Sequence, residues 1–288
     1  MTGQHDGSAS GAGRVAFAAL LALCAGIFLT FLAIPIVALF TETPLGEIPD
    51  LLSDPAVQDI LAVTVRTNLI ANGLTLLLGT PTAYLLATRR FPGRALLVTL
   101  VELPLVLPPA VAGIGLLAAF GAGGLLGDPL QEAGIGIPFT EWAVVLAITF
   151  VASPFYVRQA IAAFEAVDPQ YPAAARTLGA GPPRTFFRIF LPLAAGGLAA
   201  GWVLAFARGV GEFGATIMFA GNVPGVTQTL TLGIYEQLEA NFDLALAIGV
   251  LLVILSAAVL LAYKLISSWR SSTSTSISIF QPSLSRQR

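Results

Sequence analysis

Three scarcities set the limits on this chain: one cysteine, one histidine and one lysine in 288 residues. The lone Cys24 lies within the first apolar run, so no disulfide can close inside the chain and no cysteine metal site exists. His5 sits in a Gly/Ser-rich amino-terminal stretch, which leaves zinc-protease and Ser–His hydrolase chemistry without a base. Lys264 is followed by Leu265, so the GxxxxGK[ST] phosphate cradle is absent and ATP is not bound in that manner. Charge is scarce too: 10% of residues are Asp, Glu, Lys or Arg, roughly half the share of a soluble domain. No catalytic, cofactor-binding or metal-ligating residue is therefore expected, and no nucleic-acid partner.

What is abundant is apolar surface, 56% of the chain. A bilayer core of ~30 Å needs roughly 20 apolar residues in a helix, and six runs qualify, near 15–40, 60–88, 95–120, 142–164, 190–220 and 243–267. The LALC ending at Cys24 is a poor lipoprotein signal, because Leu23 is bulky and the run continues to Phe40; an uncleaved first span is expected. Arg14, Arg89, Arg90, Arg94, Arg158, Arg176, Arg184, Arg188, Lys264, Arg270, Arg286 and Arg288 all fall on one side of this map. The opposite loops hold Glu42, Glu47, Asp50, Asp54, Asp59, Asp128, Glu132, Glu141, Glu236, Glu239 and Asp243, with no Lys or Arg. Cytoplasmic flanks retain basic residues, so both termini are expected in the cytoplasm. The expectation is an all-α integral membrane protein with a tail at 1–13, a membrane domain at 14–267 and a Ser/Thr-rich tail at 268–288, both tails disordered.

Within the spans, Pro104, Pro108 and Pro109 should kink or break the third helix. Broken helices are tolerated where they face protein or a watery path, so a pathway-lining role and an ordinary kink stand as equal readings. Four ionisable residues lie inside spans: Arg66, Glu102, Arg208 and Glu212. Arg66 is expected to snorkel outward, and Glu102 to reach the interface. Arg208 and Glu212, four apart in FARGVGEFGA, can pair along one side of a helix, as a gate or as a structural ion pair. Gly197 and Gly201 have GxxxG spacing, read as intrachain packing.

Between spans four and five lies a polar insert, DPQYPAAARTLGAGPPRTFFRIFLP, from Asp168 to Pro192. Asp168 can cap a helix, Pro169 suits its first turn and Gly179 its left-handed end. A second helix then starts at Gly181, Pro182 and Pro183, carrying Arg184 and Arg188 toward the bilayer. Ala173, Ala174 and Ala175, then Gly179, Ile189, Leu191 and Pro192 stand at the spacings of the EAA, Gly, Ile-x-Leu-Pro loop signature, with Ala173 in the place of the glutamate. The chain thus resembles permease subunits of binding-protein-dependent ABC importers. That resemblance implies a type I importer permease fold of six spans, with a coupling helix in the 165–189 loop. It also makes Ala173, Ala174, Ala175, Arg176, Gly179, Arg184, Ile189, Leu191 and Pro192 the contacts to a separate ATPase.

FARGVGEFGATIMFAGNVPGVTQTLTLGIYEQLE, Phe206 to Glu239, is similar to molybdate permeases, and its GEFGA and AGN elements also resemble sulfate permeases. The resemblance implies molybdate import, with tungstate sharing the route and sulfate or thiosulfate as the alternative cargo. The implied partners are a second permease copy, two ATPase subunits and a periplasmic or lipid-anchored oxyanion-binding protein. Candidate pathway or gate residues are Arg208, Glu212, Pro104, Pro108 and Thr216, with Thr229 as a further hydroxyl donor.

Overall fold

The computed structural model describes residues 7–44, 46 and 48–275, and every regular element among them is helical. The chain opens with α1 (Gly7–Glu42) and the short α2 (Ile48–Ser53), then the long α3 (Pro55–Thr88). The start of α3 follows from its sequence: Asp54 Oδ1 accepts the Ala56 N–H at 2.8 Å, and Pro55 occupies the first turn, where its missing donor costs nothing. Helix α1 begins at Gly7, inside the 1–13 segment expected as a tail; residues 1–6 lie outside the described residues.

The run expected as the third crossing departs most from a straight span. Helices α4 (Arg94–Val106) and α5 (Pro109–Phe120) are inclined to each other by 116°, so the single run expected at 95–120 is two half-length helices. The cause is local. Leu107 and Pro108 each precede a proline, whose Cδ drives the preceding residue out of the α region, and they take ψ of 132° and 133°. Two consecutive extended residues turn the chain. Pro104, by contrast, stays inside α4.

After α6 (Gly127–Glu132) comes α7 (Glu141–Glu165), then the two short helices α8 (Gln170–Thr177) and α9 (Pro182–Thr185). A π-helical turn at Phe186–Phe190 joins α9 to α10 (Leu191–Val210). The fifth span expected at 190–220 is also corrected. Its helix runs Pro182–Val210, ends at Gly211, and a separate α11 (Gly214–Ala220) follows. Last come α12 (Leu230–Ala240) and α13 (Phe242–Thr275), which continues past the expected boundary at 267; residues 276–288 lie outside the described residues. Five of these helices are long and apolar enough to cross a membrane, or six crossings if the bent α4–α5 pair makes one.

Helix α7 is the hub. Helices α3, α10, α11, α4 and α5 all pack on it, and Val144, Val145, Ile148, Tyr156 and Phe164 are buried there. Small residues let the neighbours close in. A Cβ on Gly79 would sit 3.1 Å from the Tyr156 ring, and one on Gly197 only 2.5 Å from Ala163 Cβ. The Gly197/Gly201 spacing is thus intrachain packing of α10 on α7, as expected. Leucines and phenylalanines of α1 are exposed along its length, the inverse of a soluble helix and suited to lipid.

Candidate coupling and translocation site

The polar insert forms the expected helix–glycine–helix. Asp168 Oδ1 accepts the Gln170 N–H at 2.8 Å at the head of α8. Gly179, at φ +77°, closes it: the Gly179 N–H donates to Arg176 O at 3.0 Å and the Ala180 N–H to Ala175 O at 2.9 Å. These are the paired bonds of a Schellman end. Ala173, Ala174, Arg176, Gly179 and Arg184 are exposed, whereas Ala175 is buried against the bundle. Ile189 and Leu191 are half-buried in the π turn and the start of α10, and Pro192 is exposed beside them. The same surface presents two large residues that the motif does not include, Tyr171 at 57% exposed and Leu178 at 86%. Their spacing with Ala174, at i, i+3 and i+7, is the only sequence signal that they share a face.

Beneath this insert lies an aromatic seat. Tyr84 of α3 meets Phe164 of α7 and Phe186 and Phe190 of the π turn at ring-centroid separations of 5.6, 4.7 and 5.1 Å, all edge-on. Edge-to-face contacts of this kind add about 0.5–1.5 kcal/mol each beyond burial. The π turn carries Phe186 and Phe190 onto these rings, so the segment that follows α9 is packed on α3 and α7, and α8 in turn touches α9 and the π turn.

A second constellation surrounds the break between α10 and α11. Arg208 and Glu212 do pair, at 2.6 Å between Nη2 and Oε2, but not along one continuous helix, since α10 has already ended at Val210. Glu212 is 1% exposed and Arg208 26%. The other Glu212 oxygen accepts the Ala215 N–H at 2.7 Å, serving the first turn of α11, and its carbonyl accepts the Thr231 hydroxyl at 2.7 Å. The carboxylate thereby satisfies backbone that the break leaves open, which is what permits irregular chain at membrane depth.

Helices α5 and α11, the two short halves, are in very close contact. A Cβ on Gly113 would lie 2.7 Å from Ala215 O, and one on Gly214 2.7 Å from Pro109 Cβ. The structure therefore brings Pro109, beside the expected Pro108, to the Arg208–Glu212 region through Gly214. Pro104 is separated from Pro108 by the bend. Thr216 is wholly buried in α11, with no hydrogen-bond partner for its hydroxyl among the described residues. Thr229 heads α12, its hydroxyl 2.9 Å from that of Thr231.

The sequence reading missed a polar stripe on α3: Thr64, Thr67, Asn68, Asn72 and Thr75 are all buried. Thr64 Oγ1 accepts the Leu230 N–H at 2.8 Å, capping α12, and a Cβ on Gly209 would come within 2.8 Å of Asn68 Oδ1. Its signal was the recurrence of Thr and Asn three and four apart. The remaining two ionisable residues within the expected spans also carry partners. Arg66 bridges to Glu141 at 2.5 Å, at the head of α7, and Glu102 meets Arg158 at 3.1 Å. Both carry partners on α7 because α3 and α4 pack against it.

Residues 76–272 match the family described as the binding-protein-dependent transport system inner membrane component. The chain belongs to that family. This family member is 45% identical over 235 residues to the molybdenum transport system permease protein ModB of Mycobacterium tuberculosis, covering 81% of this chain and 88% of the relative. It is 41% identical over 220 residues to ModB of Escherichia coli K12, covering 76% and 95%. With the sulfate transport system permease protein CysT of the same strain it shares 36% over 216 residues, covering 75% and 78%. Its fold is that of a chain in a bacterial alginate ABC transporter crystallised with an alginate-bound periplasmic protein (TM-score 0.68, 19% identity, 88% and 94% covered). A chain of the inward-facing MetNI methionine ABC transporter is also similar (TM-score 0.58, 18% identity, 75% and 98% covered). The expected importer-permease fold of a multi-pass inner-membrane protein is present, with the runs expected as the third and fifth spans broken as described.

Proposed function

We propose that this chain is the non-catalytic permease subunit of an ATP-driven molybdate importer, with tungstate sharing the route. The observation that carries the cargo is the match to two ModB proteins at 45% and 41% identity over most of both partners, above the 36% to a sulfate permease. Two copies form the pathway, each turning its 168–192 insert toward one ATPase subunit in the cytoplasm, where both termini also lie. The exposed face of α8 docks the ATPase, and the aromatic seat passes its displacement to α3 and α7. The break around Glu212, packed on α5, is the element that changes between outward- and inward-open states.

Delivery by an external binding protein follows from charge. The outer loops are acidic and lack Lys and Arg, so their field repels an oxyanion and provides no steering. Selection rests with a partner that presents the anion to the mouth. Radiolabelled molybdate uptake into proteoliposomes holding the permease, ATPase and binding protein tests the proposal. ATP-dependent uptake should be competed by molybdate and tungstate and spared by excess sulfate. Competition by sulfate at equal potency would make this a sulfate permease instead.

A further inference from the structure

Between α8 and the turn that joins α3 to α4 lies a groove of about 900 Å³. Arg89, Arg90, Arg94 and Arg176 line its walls, with Glu165 as the sole carboxylate among the described residues. The apolar lining open to it comes from exposed Pro169 and Pro182 and half-buried Tyr84, Ala87 and Ala180, with the buried rings of Phe164 and Phe190 behind them. Arg94 is already committed: its Nη2 donates to Glu165 Oε1 at 2.7 Å and its Nε to Leu86 O at 2.6 Å. Four guanidinium groups less one carboxylate leave a surplus of three positive charges. Arg89, Arg90 and Arg176 carry no ion pair among the described residues, and Arg176 spends only its Nε, on Pro172 O at 3.2 Å. The two threonine hydroxyls in the wall are spent on backbone carbonyls four residues back, Thr88 on Tyr84 O at 2.7 Å and Thr185 on Gly181 O at 3.1 Å. The free donors of this groove are therefore guanidinium N–H groups.

We propose that this groove binds a phosphate group, as presented by the headgroup of an anionic phospholipid. Guanidinium matches phosphate oxygens with two parallel N–H donors and is less hydrated than ammonium. Basic pockets at the cytoplasmic membrane surface are suited to anionic headgroups. The apolar lining beside the arginines gives glycerol and the upper acyl chain a surface, which a bare oxyanion would not use. Three like charges around one groove repel each other until an anion neutralises them, so the bound headgroup also holds the α3–α4 turn against α8. This placement rests on the cytoplasmic orientation of the insert proposed above.

The test uses the permease–ATPase complex carrying Arg89→Gln/Arg90→Gln, purified from mixed phosphatidylglycerol and phosphatidylcholine and weighed by native mass spectrometry. Wild type should retain phosphatidylglycerol in preference, and the variant should lose roughly five-fold of that preference per arginine. Arg89→Lys/Arg90→Lys should keep part of it, and Arg14→Gln, a charge outside the groove, all of it. A second arm titrates inorganic phosphate into the lipid-free complex in detergent and follows thermal unfolding. Stabilisation by phosphate that the Gln variant lacks supports the phosphate site with a free anion as the source. Equal lipid retention by wild type and variant, with no phosphate response, overturns the proposal. So does loss of ATPase from the variant complex with lipid retention unchanged, which would make these arginines protein contacts. Lipid retention needs no transport, so a complex that holds the headgroup but imports no molybdate would sink the cargo reading alone.

Discussion

Gly179 and the Arg208–Glu212 pair show how differently single residues can constrain a fold. No atom lies within 4 Å of where a Gly179 Cβ would be, so only its φ of +77° requires glycine. The left-handed conformation costs other residues about 1–2 kcal/mol, and Asn least. Gly179→Val should abolish ATP-driven uptake while leaving membrane insertion intact, and Gly179→Asn should retain most of it; equal uptake in all three proteins would end the docking role. Glu212 is constrained by what surrounds it. Arg208→Ala would strand a carboxylate that is 1% exposed, at a cost of ~3–5 kcal/mol. Thermal unfolding of the purified protein should fall accordingly, and Arg208→Met/Glu212→Gln should recover most of the loss, because Gln can still accept the Ala215 N–H. The possibility of this pair was visible as an i, i+4 spacing. Its second duty, serving the first turn of α11, was not, because nothing local announces that the helix stops at Val210.

Among elements, the contrast lies between two breaks. The α4–α5 bend was legible, since a proline disfavours the α region for the residue before it, and Leu107 and Pro108 each precede one. The α10–α11 break was not. GVGEFGA contains only glycines as warning, and glycine in a membrane helix signals close packing as readily as an end. Beyond the break α11 packs along α5, where a Cβ on Gly214 would lie 2.7 Å from Pro109 Cβ. A Cβ at Gly113 would meet backbone 2.7 Å away, whereas Gly115 has open space. Gly113→Ala should therefore lower thermal stability by ~1–3 kcal/mol and cut uptake, with Gly115→Ala indistinguishable from wild type in both assays. If the two alanines behaved alike, the α5–α11 contact would have no part in the cycle.

For the whole molecule, orientation is the property on which the coupling and headgroup proposals depend. In a Cys24→Ser background, Gly136→Cys should react with a membrane-impermeant maleimide on intact spheroplasts. Thr177→Cys, at the end of α8, should react only after the membrane is opened. Labelling of Thr177→Cys from outside would invert the topology and remove the ATPase from that face. The expected division into an outer acidic and an inner basic side makes this a sharp test, since the loops read as outer carry no Lys or Arg.

Composition and order of residues alone established that the chain is helical, membrane-embedded and without an ATP cradle of its own. These follow from quantities summed over many residues, apolar run length and the distribution of arginines, which no tertiary contact can reverse. The capped insert was likewise written locally, in Asp168 and Gly179. Three-dimensional packing was needed for what depends on neighbours distant in sequence: the choice of α7 as hub, the aromatic seat joining Tyr84 to Phe190, the buried Thr/Asn stripe of α3, and the end of α10 at Val210. In each case the deciding quantity is the space left by another helix, and space is not encoded in a local pattern.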